Sequence, residues 1–217
     1  MRAACYVGDM DFLRPVQSVI PGATGRVLAA LAEASGELSL RSLAKVAGVS
    51  AAQASRVLPG LVAVGLVERR EVPPSSMFRL SPDHCAAGPL LDLSRARDRV
   101  LSEMGRRAAC LGVPPVSVIV FGSFARGEAD AMSDIDAVLV RPASVSEEDP
   151  EWWASLGEWS EALRRATGNH IEVLEVGVAE VAARLGSRRS VWQDIRRDGV
   201  VVHGLSLEDL AAGEANA

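Results

Sequence analysis

Apolar residues recur along this chain in two rhythms, and the change from one to the other divides it. In the first part the spacing is three to four. TGRVLAALAEAS puts Val27, Leu28, Leu31 and Ala32 on one side of a helix, with Thr24 as N-cap and Gly36 as its end. SLRSLAKVAG repeats that spacing at Leu40, Leu43, Ala44 and Val46 behind Ser39, and Gly48 breaks it. Ser50 caps a third helix, SAAQASRVLPGLVAVG, in which Pro59 should cost about 3 kcal/mol or bend and shorten the helix. LVERREV and SMFRLS, joined by PPS, alternate instead and predict a β-hairpin. Three helices with a glycine turn between the second and third, then a hairpin, form a winged helix-turn-helix pattern. The residues up to Pro21-Gly22 carry no such rhythm and predict a loose lead-in.

LLDLSRARDRVLSEMGRRAACLG has the longest helical signal and predicts one connector helix running to Pro114-Pro115. Beyond it the period falls to two. VSVIVF predicts a strand, GSFARGE a turn, DIDAVLV a second strand and HIEVLEV a third, with VVVHG as a short last one. WWASLGEWSEALRRATG, VAEVAARLGS and SVWQDIRRDG supply helices between them. The expected organisation is a lead-in over 1–22, a winged helix-turn-helix over 23–88, a connector helix over 89–113 and a small α/β domain over 114–217. The fold class is mixed α+β, with a short mixed sheet in the second domain.

Charge sharpens this division. Before Leu91 there are nine basic and seven acidic residues, and from Leu91 onward 14 basic and 21 acidic. The mild positive excess of the first part permits nucleic-acid binding. Of the basic residues 22 are Arg and one is Lys, a skew that goes with the alanine content and implies no arginine-specific role. Cys5, Cys85 and Cys110 are far apart with no CxxC, and read as reduced thiols. No run approaches the ~18 apolar residues of a membrane span, and no signal-peptide pattern opens the chain. The expected location is the cytoplasm, with no membrane partner.

In a winged helix the third helix enters the major groove, so the candidate DNA contacts there are Ser50, Gln53, Ser55 and Arg56. Gln suits adenine, Arg suits guanine and Ser suits phosphate. Arg69 and Arg70 in the hairpin reach toward the backbone or minor groove. Such readers commonly bind paired half-sites, which makes a homodimer the expected state. The competing use of the module is dimerisation or protein contact.

The stretch FGSFARGEADAMSDIDAVLV carries the candidate chemistry. Asp134 and Asp136, two apart on a strand, face the same way. Their repulsion is most simply relieved by a hard divalent cation such as Mg2+. Gly122 lets a backbone approach a bulky anion, Ser123 adds a hydroxyl and an amide, and Arg126 adds a cation nearby. In outline this is a nucleoside-triphosphate site. Two-metal chemistry needs a third carboxylate, and HIEVLEV offers Glu172 or Glu175, on opposite faces of its strand.

Gly122, Ser123, Arg126, Gly127, Ser133, Asp134 and Asp136 together resemble the signature of the DNA-polymerase-beta-like nucleotidyltransferases, and of the minimal ones in particular. The resemblance spans roughly residues 114–204. It implies two Mg2+ ions on Asp134, Asp136 and a third acid set as in IEVL, which favours Glu172. It implies ATP or another NTP held by Gly122, Ser123, Arg126 and Ser133, and transfer of NMP, most often AMP, to a hydroxyl. In minimal nucleotidyltransferases the acceptor is often a protein, and some resemble antitoxins that modify a HEPN-type toxin. An N-terminal winged helix departs from that family and adds DNA binding and regulation. The alternative reading is a winged-helix transcription regulator whose second domain only senses a nucleotide. An antibiotic-modifying nucleotidyltransferase is a third.

Other residues have structural readings. Trp152 and Trp159 share a helix face and predict core, although with Trp153 they could stack a base. Arg188, Arg189, Arg196 and Arg197 read equally as contacts to phosphates or an acidic partner and as a solvated helix face. His170 is placed to share the face of Glu172, in a structural role.

Overall fold

The computed structural model describes residues 9–213, and these fall into two compact units. One comprises Arg14–Ala96. The other comprises Arg97–Ala217 together with Met1–Leu13, in so far as those residues are described. The division falls at Leu13/Arg14 and Ala96/Arg97, so the described residues before Arg14 go with the second unit.

The first unit contains α1 (Pro15–Val19), α2 (Gly22–Glu33), β1 (Leu38–Ser39), α3 (Leu40–Val46), α4 (Ala51–Ala63), β2 (Val67–Val72), β3 (Ser75–Leu80) and α5 (Ala87–Ser94). Ser39 and Ser50 cap α3 and α4 as their positions predict, each accepting from the backbone N–H three residues on. The hairpin β2–β3 is antiparallel, and the two residues of β1 pair with β3 to complete a three-stranded sheet. Helix α2 differs from expectation. It begins at Gly22 with Pro21 at the N-cap, and Thr24 lies inside it. Val27 to Leu31 are all buried, because Leu43, Leu58 and Phe78 pack on one side while Val16 of α1, Leu66 and Leu90 of α5 cover the other. A helix covered twice has no polar stripe to lose. Helix α4 runs through Pro59, which lies exposed, where water can serve the Ser55 carbonyl that the proline ring cannot.

The expected single connector is two helices, α5 and α6 (Ala96–Ala108), separated by Arg95 at φ −105°, ψ 26°. Ser94 Oγ donates to the Leu91 carbonyl at 2.7 Å, beside the Arg95 N–H that bonds the same oxygen at 3.2 Å.

In the second unit β4 (Ser117–Phe121), α7 (Gly122–Arg126), β5 (Ile135–Arg141), α8 (Pro150–Thr167), β6 (Ile171–Gly177), α9 (Val178–Leu185), α10 (Ser190–Asp198), β7 (Val200–Gly204) and α11 (Leu207–Ala212) follow in order. The sheet order is β6-β5-β4-β7, with β5/β6 parallel and the other pairs antiparallel, a short mixed sheet. Val118–Val120 and Ala137–Val140 are all fully buried, as strands covered on both faces must be. Ile119, Val138, Val140 and Val176 pack against Val181, Leu185, Trp192, Ile195 and Leu210 of α9, α10 and α11. Trp152 and Trp159 of α8 are buried as predicted, and Trp159 Nε1 donates to the Met104 carbonyl of α6 at 3.1 Å. No helix among the described residues is long and apolar enough to cross a membrane. Cys85 and Cys110 are free and exposed, while Cys5 lies outside the described residues.

Candidate functional site

Alternation along β5 puts Val138 and Val140 on the sheet face packed by α9 and α10, and Asp136 on that same face two residues earlier. Phe121 of β4 is opposite Asp136 on one side, and Glu172 of β6 is in register with it on the other. Asp136 and Glu172 therefore lie about one strand spacing, ~4.8 Å, apart at the backbone and face the same way. Asp134 precedes the first strand residue, Ile135, and is exposed. Burial pushes the Asp136 carboxyl above the ordinary aspartate range, and the negative charges of Asp134 and Glu172 push it further against a smaller pull from Arg126. Three carboxylates thus share one region of field.

Directly after β4, Gly122 turns the chain at φ +71°, where an L side chain would be strained. A Cβ there would also stand 2.3 Å from Asp136 Oδ2. The bare backbone of Gly122 and the carboxylate of Asp136 are consequently in contact, with Ser123 next in the chain. The other anticipated residues are engaged differently. Arg126 pairs with Glu128 at 2.7 Å and with Asp198 at 3.4 Å. Ser133 Oγ exchanges hydrogen bonds with Asp130, donating to Oδ1 at 2.9 Å and accepting from the backbone N–H at 3.1 Å. Neither side chain is turned onto the acids in this arrangement.

The two glutamates of β6 have different surroundings. Glu175 is in register with Leu139 on the opposite face and pairs with Arg141 at 2.7 Å, both side chains nearly buried. Glu172 is exposed, with the His170 ring 3.4 Å away. As the side chains stand, no three ligating groups among the described residues close on a single cation position. The donor set nevertheless fits a hard divalent cation, since Asp136 is held among the charges of Asp134 and Glu172 with no ion pair to Asp134 or Asp136 among the described residues.

Two residues near the acids carry no motif. Asn169 is fully buried and gives its Nδ2–H to the Ser133 carbonyl at 3.1 Å, one residue before Asp134. Arg97 bonds the Phe124 and Ala125 carbonyls of α7. Their partners are 36 and 27 or 28 residues away in the chain, so no local spacing could have pointed to them.

In the first unit Ser50, Gln53, Ser55, Arg56, Arg69 and Arg70 are all exposed. Ser50 and Gln53 form a reciprocal capping box, in which Gln53 Oε1 accepts from the Ser50 N–H at 2.9 Å. That leaves Gln53 its amide N–H groups. Ser55 and Arg69 line a cleft of about 720 Å3 together with Arg41, Leu58 and Phe78. Arg69 bonds Ser76 and Glu71, and Arg70 forks onto Glu37.

A winged helix-turn-helix and a small mixed-sheet domain with a Gly-Ser turn beside paired acids define a two-module protein. Residues 99–200 match the family model described as nucleotidyltransferase domain, and residues 20–75 match that of the MarR family. The chain joins a MarR-family winged helix to a nucleotidyltransferase domain. No curated protein matches it. A solved structure described as "Crystal structure of the toxin-antitoxin with AMP-PNP" is similar over 55% of this chain and 83% of its own, at 15% identity and a TM-score of 0.36. At that score the likeness carries no weight for fold or partner.

Proposed function

We propose that the chain transfers a nucleoside monophosphate, AMP from ATP, to a hydroxyl acceptor, and that its winged helix binds DNA. The observation that carries this reading is the register of Asp136 with Glu172, with the Gly122 backbone against the Asp136 carboxylate. Asp134, Asp136 and Glu172 are the residues that would hold Mg2+. Bound there, the ions would offset the carboxylate charge and that of the triphosphate, and lower the acceptor hydroxyl's pKa. Gly122 and Ser123 would present backbone and hydroxyl to the phosphates, and a side chain at Gly122 would strike the Asp136 carboxylate beside them. Arg126, exposed beside Glu128 and Asp198, would trade those partners for a phosphate oxygen. Glu172 takes the acceptor proton at its carboxylate as the hydroxyl oxygen attacks the α-phosphorus and pyrophosphate leaves. A protein hydroxyl is the acceptor this reading favours, from the motif's resemblance to minimal nucleotidyltransferases, and an antitoxin-like role follows from the same resemblance.

The test is incubation of the full chain with α-labelled ATP, Mg2+ and candidate acceptor proteins. Label transfer that disappears in an Asp134→Ala/Asp136→Ala double variant supports the reading. Transfer that persists in that variant overturns it. Binding of ATP with no transfer to any acceptor, together with DNA affinity that changes with ATP, supports the nucleotide-sensing regulator instead.

A further inference from the structure

Leu13 and Arg97 are the residues at which the second unit's chain leaves for and returns from the winged-helix unit. Both are bonded to the segment between Gly122 and Asp134. Arg97 Nε donates to the Phe124 carbonyl at 2.7 Å and Nη2 donates to the Ala125 carbonyl, while Nη1 meets Asp98 at 3.1 Å. Helix α7 has a single turn: the Phe124 carbonyl also accepts the Gly127 N–H at 3.1 Å, and no helix continues past Arg126 to bond the Ala125 carbonyl. Gly127 ends the turn at φ +74°, and Arg97 lies against it, with Nε 3.8 Å from where a Cβ would stand.

The other junction supports the same segment. Phe12 meets Phe124 edge-on at 4.8 Å, and both rings are buried. The Leu13 N–H donates to the Ala129 carbonyl at 3.0 Å. Asn169 accepts from the Met10 N–H at 3.1 Å and donates from Nδ2 to the Met10 carbonyl at 3.3 Å and the Ser133 carbonyl at 3.1 Å. The run from the Gly-Ser turn to Asp134 is therefore pinned at its beginning, middle and end by groups outside it.

Building on the nucleotidyl-transfer reading, we propose that Arg97 is a positioning residue for the nucleotide cradle. It acts through the α7 backbone. By bonding the end of that turn it holds Gly122 and Ser123 in place against Asp136, and so sets nucleotide affinity. A one-turn helix has too few bonds of its own to hold this geometry, and without Arg97 the Ala125 carbonyl would have to find its partner by shifting the turn.

The experiment measures ATP·Mg2+ affinity of the full chain by titration calorimetry, at a temperature where every variant is folded. Arg97→Gln is expected to weaken ATP binding about tenfold or more. Arg97→Lys, which keeps a cationic donor for one carbonyl, should recover part of that loss. Arg106→Gln, on the same helix in an exposed pair with Glu103, should bind ATP as the parent does. Hydrogen exchange is read alongside, without nucleotide. The amides of Gly127 and Glu128, which donate to Phe124 and Ser123, should exchange faster in Arg97→Gln while β4 and β5 amides keep their protection. An Arg97→Gln chain that binds ATP as tightly as the parent overturns the positioning role. A parent chain that binds no ATP overturns the nucleotide reading itself, and unchanged exchange at Gly127 and Glu128 then overturns the hold of Arg97 on the turn.

Discussion

The winged helix and the acid cluster of the second unit treat charge in opposite ways. On the winged helix, where a basic surface would meet DNA, Arg69 and Arg70 are paired with Glu71 and Glu37, and Arg79 with Glu68. The hydrogen bond from Arg70 holds the Glu37 carboxyl below the ordinary glutamate range. In the nucleotidyltransferase domain Asp136 is pushed the other way, by burial and by the charges of Asp134 and Glu172. A surface pair such as Arg70–Glu37 contributes little to stability and is screened by salt. A half-buried carboxylate among like charges is a cost, which the fold bears without a local arginine closing on it. Uncompensated charge sets the candidate site apart from the paired charges of the surface.

The sharpest way to break this contrast is Gly122→Ala. Its Cβ would need the left-handed conformation and would stand against Asp136 Oδ2, so the turn or the carboxylate must move. We expect about 1–3 kcal/mol loss of stability and at least about a 100-fold loss of label transfer. Near-parental transfer would show that the contact between Gly122 and Asp136 does not matter to the reaction.

Asp136→Asn tests the cost directly. A carboxyl whose folded pKa is raised adds stability when protonated, and that stability is lost as pH rises through the raised value. The metal-free asparagine variant should therefore melt higher than the parent at neutral pH, with transfer abolished. Its advantage should shrink as pH falls through the raised pKa, and vanish near the ordinary aspartate range. Chemical or thermal melts of both chains across pH measure this difference, and a variant less stable than the parent at pH 7 would remove the claim.

The smallest effect is expected at the winged helix. Glu37→Gln releases Arg70, so if the hairpin meets DNA phosphates, the slope of log affinity against log salt should steepen by about 0.9, one phosphate contact's worth. Fluorescence anisotropy with duplex DNA at several salt concentrations gives the slope. An unchanged slope would place Arg70 outside the interface.

Much of this architecture was legible along the chain, because it depends on neighbours in sequence. Ser39 and Ser50 cap the helices that follow them, the hairpin alternates, and the apolar strands β4 to β7 stand where period two begins. Helices α1 and α11 and strand β1 were not visible. They have six residues or fewer, too short for a periodicity to show, and tertiary packing defines them. The burial of α2 on two sides also escaped the pattern, since Val16 and Leu90 reach it from opposite ends of the unit.

By itself the sequence determined that a Gly-Ser turn precedes two aspartates on one strand face, and that Glu172 and Glu175 must face opposite ways. Alternation is a local property of any strand. Only the tertiary structure decided which glutamate stands beside Asp136, because that depends on the parallel register of β5 with β6, and it left Glu175 to Arg141. It likewise decided that Asn169 and Arg97 support the turn. Their hydrogen bonds reach backbone groups far along the chain, and the stability of such bonds comes from burial that no short window of sequence records.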